Sequence, residues 1–439
     1  MKKIITLLLV LTGMVCTASA TDYIVSGNSA ITNGDDHSWW HQDSENLLSE
    51  TTTSGIYTLV VENCSLTGDT DYGFKVKVNE EDWNDGTTFP ASDYLIKVPT
   101  TGTYNLIYYV DIANQSIRVI ALPMIRWNIT DNWSETYNTE RNFTKKDDFT
   151  FTYEVDADDF TGDFSFRLFS AIFSKQAYPG GQDLTVTYGG SIVSSAYFND
   201  GSTDWSWRLA KPAYTFEKVV ITAVYKPFDT TNSVDFGQWD VKADAYVSKT
   251  ITAANEYATL GCSVPLDITS LPEGVTAYTV TADASTKKIS KAEKTTALAA
   301  NEGVLLQNAS GEDVTLSIPV AAEASASASN GMVAFTGSGN LTQPGSDYTY
   351  YILANQNDHV GFYKVNTTYG NEMGANTAYL RVNGTVAARD FYWFDDEATG
   401  ITSTAMQPGI GQYYDLQGRR VAQPAKGLYI VNGKKIVIR

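Results

Sequence analysis

Histidine and cysteine are scarce in this chain, which has 3 His and 3 Cys among 439 residues. So few imidazoles give little material for metal or acid–base chemistry built on histidine. Basic residues are outnumbered too, 31 Lys and Arg against 50 Asp and Glu, for a formal charge of −19. Such a surface repels phosphate backbones, so nucleic acid is not expected as a partner. No long segment keeps a helical apolar period. No apolar run reaches the roughly 20 residues of a membrane span, so no transmembrane segment is expected in the mature chain. Serine-hydrolase elbows, H-E-x-x-H helices and phosphate-cradling loops are all missing, no cofactor is implied, and catalysis is not expected.

The chain is instead rich in Tyr (27), Phe (18) and Trp (9), with many Thr and Val runs, a composition that favours strands. Short alternating runs recur between Gly, Asn and Asp breaks. Examples are Tyr57–Val61, Phe74–Val78 and Tyr104–Tyr109. The fold class this predicts is all-β, as tandem β-sandwiches of immunoglobulin-like or carbohydrate-binding-module-like form, with a small C-terminal β-unit.

The first 20 residues read as a secretion signal. Lys2 and Lys3 precede the apolar stretch Ile4–Val10, and Ala18–Ser19–Ala20 offers a cleavage site near Ala20. The residues before Cys16 are poor for a lipid anchor. Without Lys2 and Lys3 the charge is −21. Cys64 and Cys262 then remain, far apart. They read as small buried apolar residues, with a disulfide between them left open.

The expected organisation is a β-sandwich over 21–122, a second over 124–227, a linker at 228–237 and a β-rich module over 238–400. A closing unit follows at 413–439. There Leu428–Val431 turns at Asn432–Gly433, a strong hairpin signal, into Ile436–Ile438.

Several residues are candidates for ligand chemistry. A sugar ring has an apolar C–H face that packs on an indole and hydroxyl edges that need polar partners. Trp83 lies in a polar loop with Asp82, Asn84 and Asp85, as a loop anchor or a sugar contact. Lys75 and Lys77 share a strand face by period-two alternation, as hydroxyl donors or as a solvated face. Trp39 and Trp40 point opposite ways if extended, one core and one exposed. Trp205 and Trp207 stand two apart, as a flat platform or as core. His37 and His41 lack the helix that a metal site at that spacing needs, so no metal ligand is assigned. Asp229–Thr230–Thr231 reads as a solvated linker or as an O-glycan acceptor of Bacteroidetes type.

Three resemblances follow from these stretches. Tyr414–Arg439 resembles the C-terminal sorting segment that Bacteroidetes proteins carry for type IX secretion. That implies the secretion machinery as a partner and a secreted or outer-cell-surface location. Tyr72–Val76, Trp83, Tyr94–Val98 and Gly102–Tyr104 resemble the starch-binding β-sandwiches of the SusE and SusF outer-membrane proteins. Asn132–Trp133 and Phe164–Arg167 match less closely. This resemblance implies non-catalytic binding of a polysaccharide or glycoconjugate by exposed aromatics with nearby polar side chains. The alternatives are a surface adhesin or structural protein and, more distantly, a polysaccharide-active hydrolase. Residues 238–400 resemble an uncharacterised module that often precedes such tails, and no chemistry attaches to it.

Overall fold

The computed structural model describes residues 21–33, 44–78, 88–128, 139–179, 181–190, 196–199, 205–229, 231, 237–283, 288–344, 347–356, 359–366, 368, 371–383, 391–393, 401–402, 413–415, 419–421, 426–431 and 434–438. They form strands, joined by turns and by short 3-10 segments, with no α-helix among them. The fold is all-β, built of mostly antiparallel sheets.

The first sandwich pairs a three-stranded sheet (Tyr23–Gly27, Tyr72–Val78, Thr88–Ile96) with a four-stranded one (Ser49–Glu50, Ile56–Leu66, Gly102–Asp111, Ser116–Ala121). Phe74, Val76, Leu106, Tyr108 and Val110 fill the space between them. The strand Gly102–Asp111 is buried on both faces from Leu106 to Val110. Ile107 and Tyr109 turn away from that core and join the core of the second sandwich. This explains its unbroken apolar run, since a strand covered on both sides cannot alternate with polar residues.

The second sandwich does not end at residue 227. Lys218–Lys226 pairs in full antiparallel register with Gln238–Ile251, which pairs in turn with Val314–Pro319. The expected linker at 228–237 therefore joins two neighbouring strands of one sheet. Asp229 closes it by accepting hydrogen bonds from Thr231 Oγ1 at 2.7 Å and Gln238 Nε2 at 2.8 Å. Thr231 first, through its hydroxyl and its backbone N–H, holds the Asp229 carboxyl below the usual carboxylate range. Thr230 lies outside the described residues. The facing sheet comprises Leu184–Thr185, Trp207–Leu209, Phe164–Ser170, Lys175–Pro179 and Ala196–Asn199, with Met124–Trp127 also on Phe164–Ser170.

A third pair of sheets follows. One has Tyr257–Gly261, Gly303–Asn308, Val275–Asp283 and Lys288–Glu293. The other is centred on Tyr348–Gln356 and Thr377–Asn383. Val280, Leu305, Tyr351, Phe362 and Leu380 pack between them. Ala321 to Asn330 is a largely exposed loop. It is nevertheless tied down. Glu302 Oε1 accepts from Ser327 N at 3.1 Å and Asn330 Nδ2 at 3.0 Å.

The C-terminal unit forms a small sheet of its own. Gly427–Val431 and Lys434–Ile438 make a hairpin whose register ends at Val431 opposite Lys434. The turn positions 432 and 433 lie outside the described residues. Tyr413–Tyr414 pairs with the same hairpin. Cys64 and Cys262 are both buried free thiols, so no disulfide joins them.

Candidate functional site

The six-stranded sheet of the second sandwich has two unlike faces, and period-two alternation separates them. Trp127, Phe164, Phe166, Trp207 and Leu209 point into the core. Phe166 stacks on Trp207 with ring centroids 5.6 Å apart. The intervening residues point outward and are polar. Cross-strand register sets Thr185 beside Arg208 and Arg208 beside Ser165. Ser165 N–H donates to Asn128 Oδ1 at 2.8 Å, which adds to the row the turn residue that follows the strand Met124–Trp127. These four side chains line a groove of about 330 Å³, together with Asp163.

A second polar row runs beside the first, two residues along each strand. Arg167 stands opposite Arg126. Its Nε donates to Ser206 Oγ at 3.2 Å and to the Trp205 carbonyl oxygen at 2.9 Å. Ser206 N–H donates to Asp183 Oδ1 at 2.7 Å, and the other Asp183 oxygen pairs with Arg208. Arg126 and Arg167 lie over the rings of Phe169 and Tyr178 at 5.2 and 5.7 Å. Cation–π contacts of this kind hold a guanidinium in place where little water reaches it. Arg208, by contrast, is 60% exposed at its side chain and stands over the groove.

Trp205 sits at the margin of this face. It is 36% exposed, whereas Trp127, Trp207 and Trp239 are core residues. Of the two readings of Trp205 and Trp207, platform or core, the flat platform does not form, and Trp207 is core. The strand begins at Trp207, so Trp205 precedes it and escapes the alternation that buries Trp207 completely. Trp207 is withdrawn as a sugar contact for that reason.

Lys75 and Lys77 do share a sheet face, but neither is a solvated donor. Lys77 is 1% exposed, between Ile24 and Thr88 on the neighbouring strands. Lys75 Nζ donates to the Ala91 carbonyl at 2.9 Å and lies 3.9 Å from Asp93. Trp83 with Asp82 and Asn84, and Trp39 with Trp40, lie outside the described residues, as do His37 and His41.

The residues that sequence reasoning passed over are Asn128, Ser165, Thr185 and Arg208. The signal was present in two words of the sequence. In F-S-F-R-L and W-R-L the apolar letters alternate with Ser or Arg, and alternation sends those polar residues to the face opposite the core.

Chemically, the groove combines the Arg208 guanidinium, hydroxyls of Ser165 and Thr185 and the amide of Asn128, with the partly exposed Trp205 three residues from Arg208 in sequence. Such a set can cover an apolar ring face and meet hydroxyl groups as both donor and acceptor. No group of three or more His, Cys, Asp or Glu among the described residues is placed to hold a metal ion. No family model matches the chain, and no curated protein matches it.

Proposed function

We propose that this chain is a non-catalytic, secreted or cell-surface glycan-binding protein, with the outer face of the second sandwich as a binding surface. The observation that carries the reading is the exposed Trp205. Its carbonyl is held by Arg167, and the next residue, Ser206, donates its N–H to Asp183, whose carboxylate pairs with the groove residue Arg208. A tryptophan left partly wet beside ordered polar groups suits a ligand with an apolar face and a hydroxylated rim. The groove volume of about 330 Å³ lies at the small end of ligand sites, on the scale of one or two sugar units. Its described lining carries one carboxylate, Asp163. Glycosidic hydrolysis takes two, about 5–10 Å apart, and the second nearby carboxylate, Asp183, is occupied by Arg208 and Ser206 N–H, which favours binding over cleavage.

The export reading rests on the N-terminal signal pattern and on the resemblance of the C-terminal tail. Delivery by the type IX route would place the face at the cell exterior, where polysaccharide is met. A rival reading, an adhesin or structural protein without a sugar site, draws support from the full enclosure of Trp207 and Trp239.

Native electrophoresis of the whole chain through gels containing soluble starch, and separately other neutral polysaccharides, tests the proposal. Retarded migration in at least one polysaccharide is expected. Unaltered migration in all of them would refute glycan binding and leave the rival reading. The whole chain is required, because the strand Gln238–Ile251 belongs to the second sandwich.

A further inference from the structure

A larger cleft, about 760 Å³, lies where the two N-terminal sandwiches meet. Ligand sites favour such junctions, and this volume falls within their usual range. One wall is the strand Gly102–Asp111, on which Thr103, Asn105 and Ile107 follow at every second position and face the cleft together. The opposite wall is residues 142–145, anchored by Phe143 N–H donating to the Pro123 carbonyl at 2.8 Å.

Two side-chain amides are arranged there for a ligand. The register of Ile56–Leu66 slips between Val61 and Cys64, and Asn63 takes a left-handed φ of 58° in that bulge. Asn tolerates this conformation better than most residues. The bulge aims Asn63 N–H at Asn105 Oδ1, 2.9 Å away. With its oxygen engaged, Asn105 offers its Nδ2 hydrogens as the donor. Across the cleft, Asn142 Oδ1 is buried and has no hydrogen-bond partner among the described residues. A buried acceptor left unmet costs about 1–3 kcal/mol, so a donor from a ligand would be stabilising there.

We infer that this cleft is a second binding site, for a neutral polyhydroxylated ligand such as a short oligosaccharide. The inference rests on the glycan-binding reading and gives it a second subsite. A hydroxyl can donate to Asn142 and accept from Asn105, which neither a pure anion nor a pure cation does. The lining holds one acid, Glu62, and one base, Lys145, so its charge selects neither sign. Val60, Leu122 and Ile107 supply the apolar floor for sugar C–H groups. An extended peptide would need free backbone groups, and the Asn105 carbonyl is already taken by Leu122 N–H at 2.8 Å.

Hydrogen–deuterium exchange of the whole chain with maltohexaose, cellohexaose and xylohexaose separates the two sites. Slower exchange is expected at residues 102–107 and 139–146 as well as at 163–168 and 205–209. Asn142→Leu, checked for an unchanged circular dichroism spectrum, is expected to weaken protection at the cleft about tenfold in ligand concentration, which is about 1.4 kcal/mol, and to leave the outer face unchanged. Protection at the outer face without the cleft overturns the inference alone. Protection at the cleft without the outer face upholds it and overturns the reading of that face. Cleft protection indifferent to Asn142→Leu, or matched by an alanine tripeptide, also overturns it. No protection anywhere overturns both.

Discussion

Arg167 and Trp205 are joined across the sheet by one hydrogen bond, from Arg167 Nε to the Trp205 carbonyl oxygen at 2.9 Å. The guanidinium is 6% exposed, yet it fixes the backbone that carries the exposed indole. Replacing Arg167 with Leu leaves the Trp205 carbonyl and Ser206 hydroxyl without this donor. The expected loss is about 1–3 kcal/mol of stability, with weaker polysaccharide retention, read by urea unfolding and gel electrophoresis together. Unchanged stability would show that the bond holds nothing in place.

The two neighbouring tryptophans should respond oppositely. Trp207→Ala empties a core position stacked on Phe166 and should cost about 3–5 kcal/mol. Trp205→Ala removes a partly exposed ring and should cost about 0.5 kcal/mol or less, as surface changes do. Chemical denaturation of both variants decides this, and equal losses would place Trp205 in the core.

Lys249 gives a pH test. It lies between Val247 and Ile251 on the strand face that builds the core, opposite Leu316. Burial pushes its ammonium down to about 8. An unfolded lysine titrates near pH 10.4, so between about pH 8 and 10.4 the unfolded chain binds more protons, and stability rises with pH across that window. Below about pH 8 the cost of the buried charge is present in full. Lys249→Met should therefore stabilise the fold at pH 7 by about 1–3 kcal/mol, with the gain shrinking towards pH 10.4. Thermal melts of both forms at several pH values measure it. A gain independent of pH would contradict the account.

Lys294 and Glu302 form a buried ion pair at 3.6 Å in the third module. Burial pushes the Glu302 carboxyl up. Hydrogen bonds from Ser327, Asn330 and Ala299 outweigh that and leave it below its ordinary value. A lowered carboxylate stabilises the fold above the unfolded value, near pH 4.3, and loses that contribution as pH falls through the folded one. Glu302→Ala should cost about 3–5 kcal/mol at pH 7, because Lys294 is left buried without its counter-charge. The gap to the parent should narrow in acid. Unfolding curves at pH 7 and pH 3 check both statements.

The all-β class was legible because alternation and turn residues are local signals. Phe164–Ser165–Phe166–Arg167 reads correctly as a strand. What was not legible was long-range register. Nothing near residues 228–237 announces that Lys218–Lys226 and Gln238–Ile251 lie side by side, so the connection between two paired strands reads as a linker. The pairing of Trp205 with Trp207 failed for a related reason. A two-residue spacing implies a shared face only inside a strand, and this strand starts at the second tryptophan. Lys77 shows the same limit. Alternation placed it opposite the core correctly, but only the neighbouring strands reveal that its face is covered. The groove residues Thr185, Arg208 and Ser165 come from three strands and Asn128 from the turn after a fourth, and sequence distance hides such a row.

The most direct test is the affinity of the whole chain, with and without Trp205→Ala, for whichever polysaccharide retards it. Gel retardation is followed as polysaccharide concentration is varied. The account predicts at least about tenfold weaker binding for the variant, about 1.4 kcal/mol, with its unfolding midpoint unmoved. Equal retardation of the two proteins would contradict it, and would assign the outer face of the second sandwich no part in holding sugar.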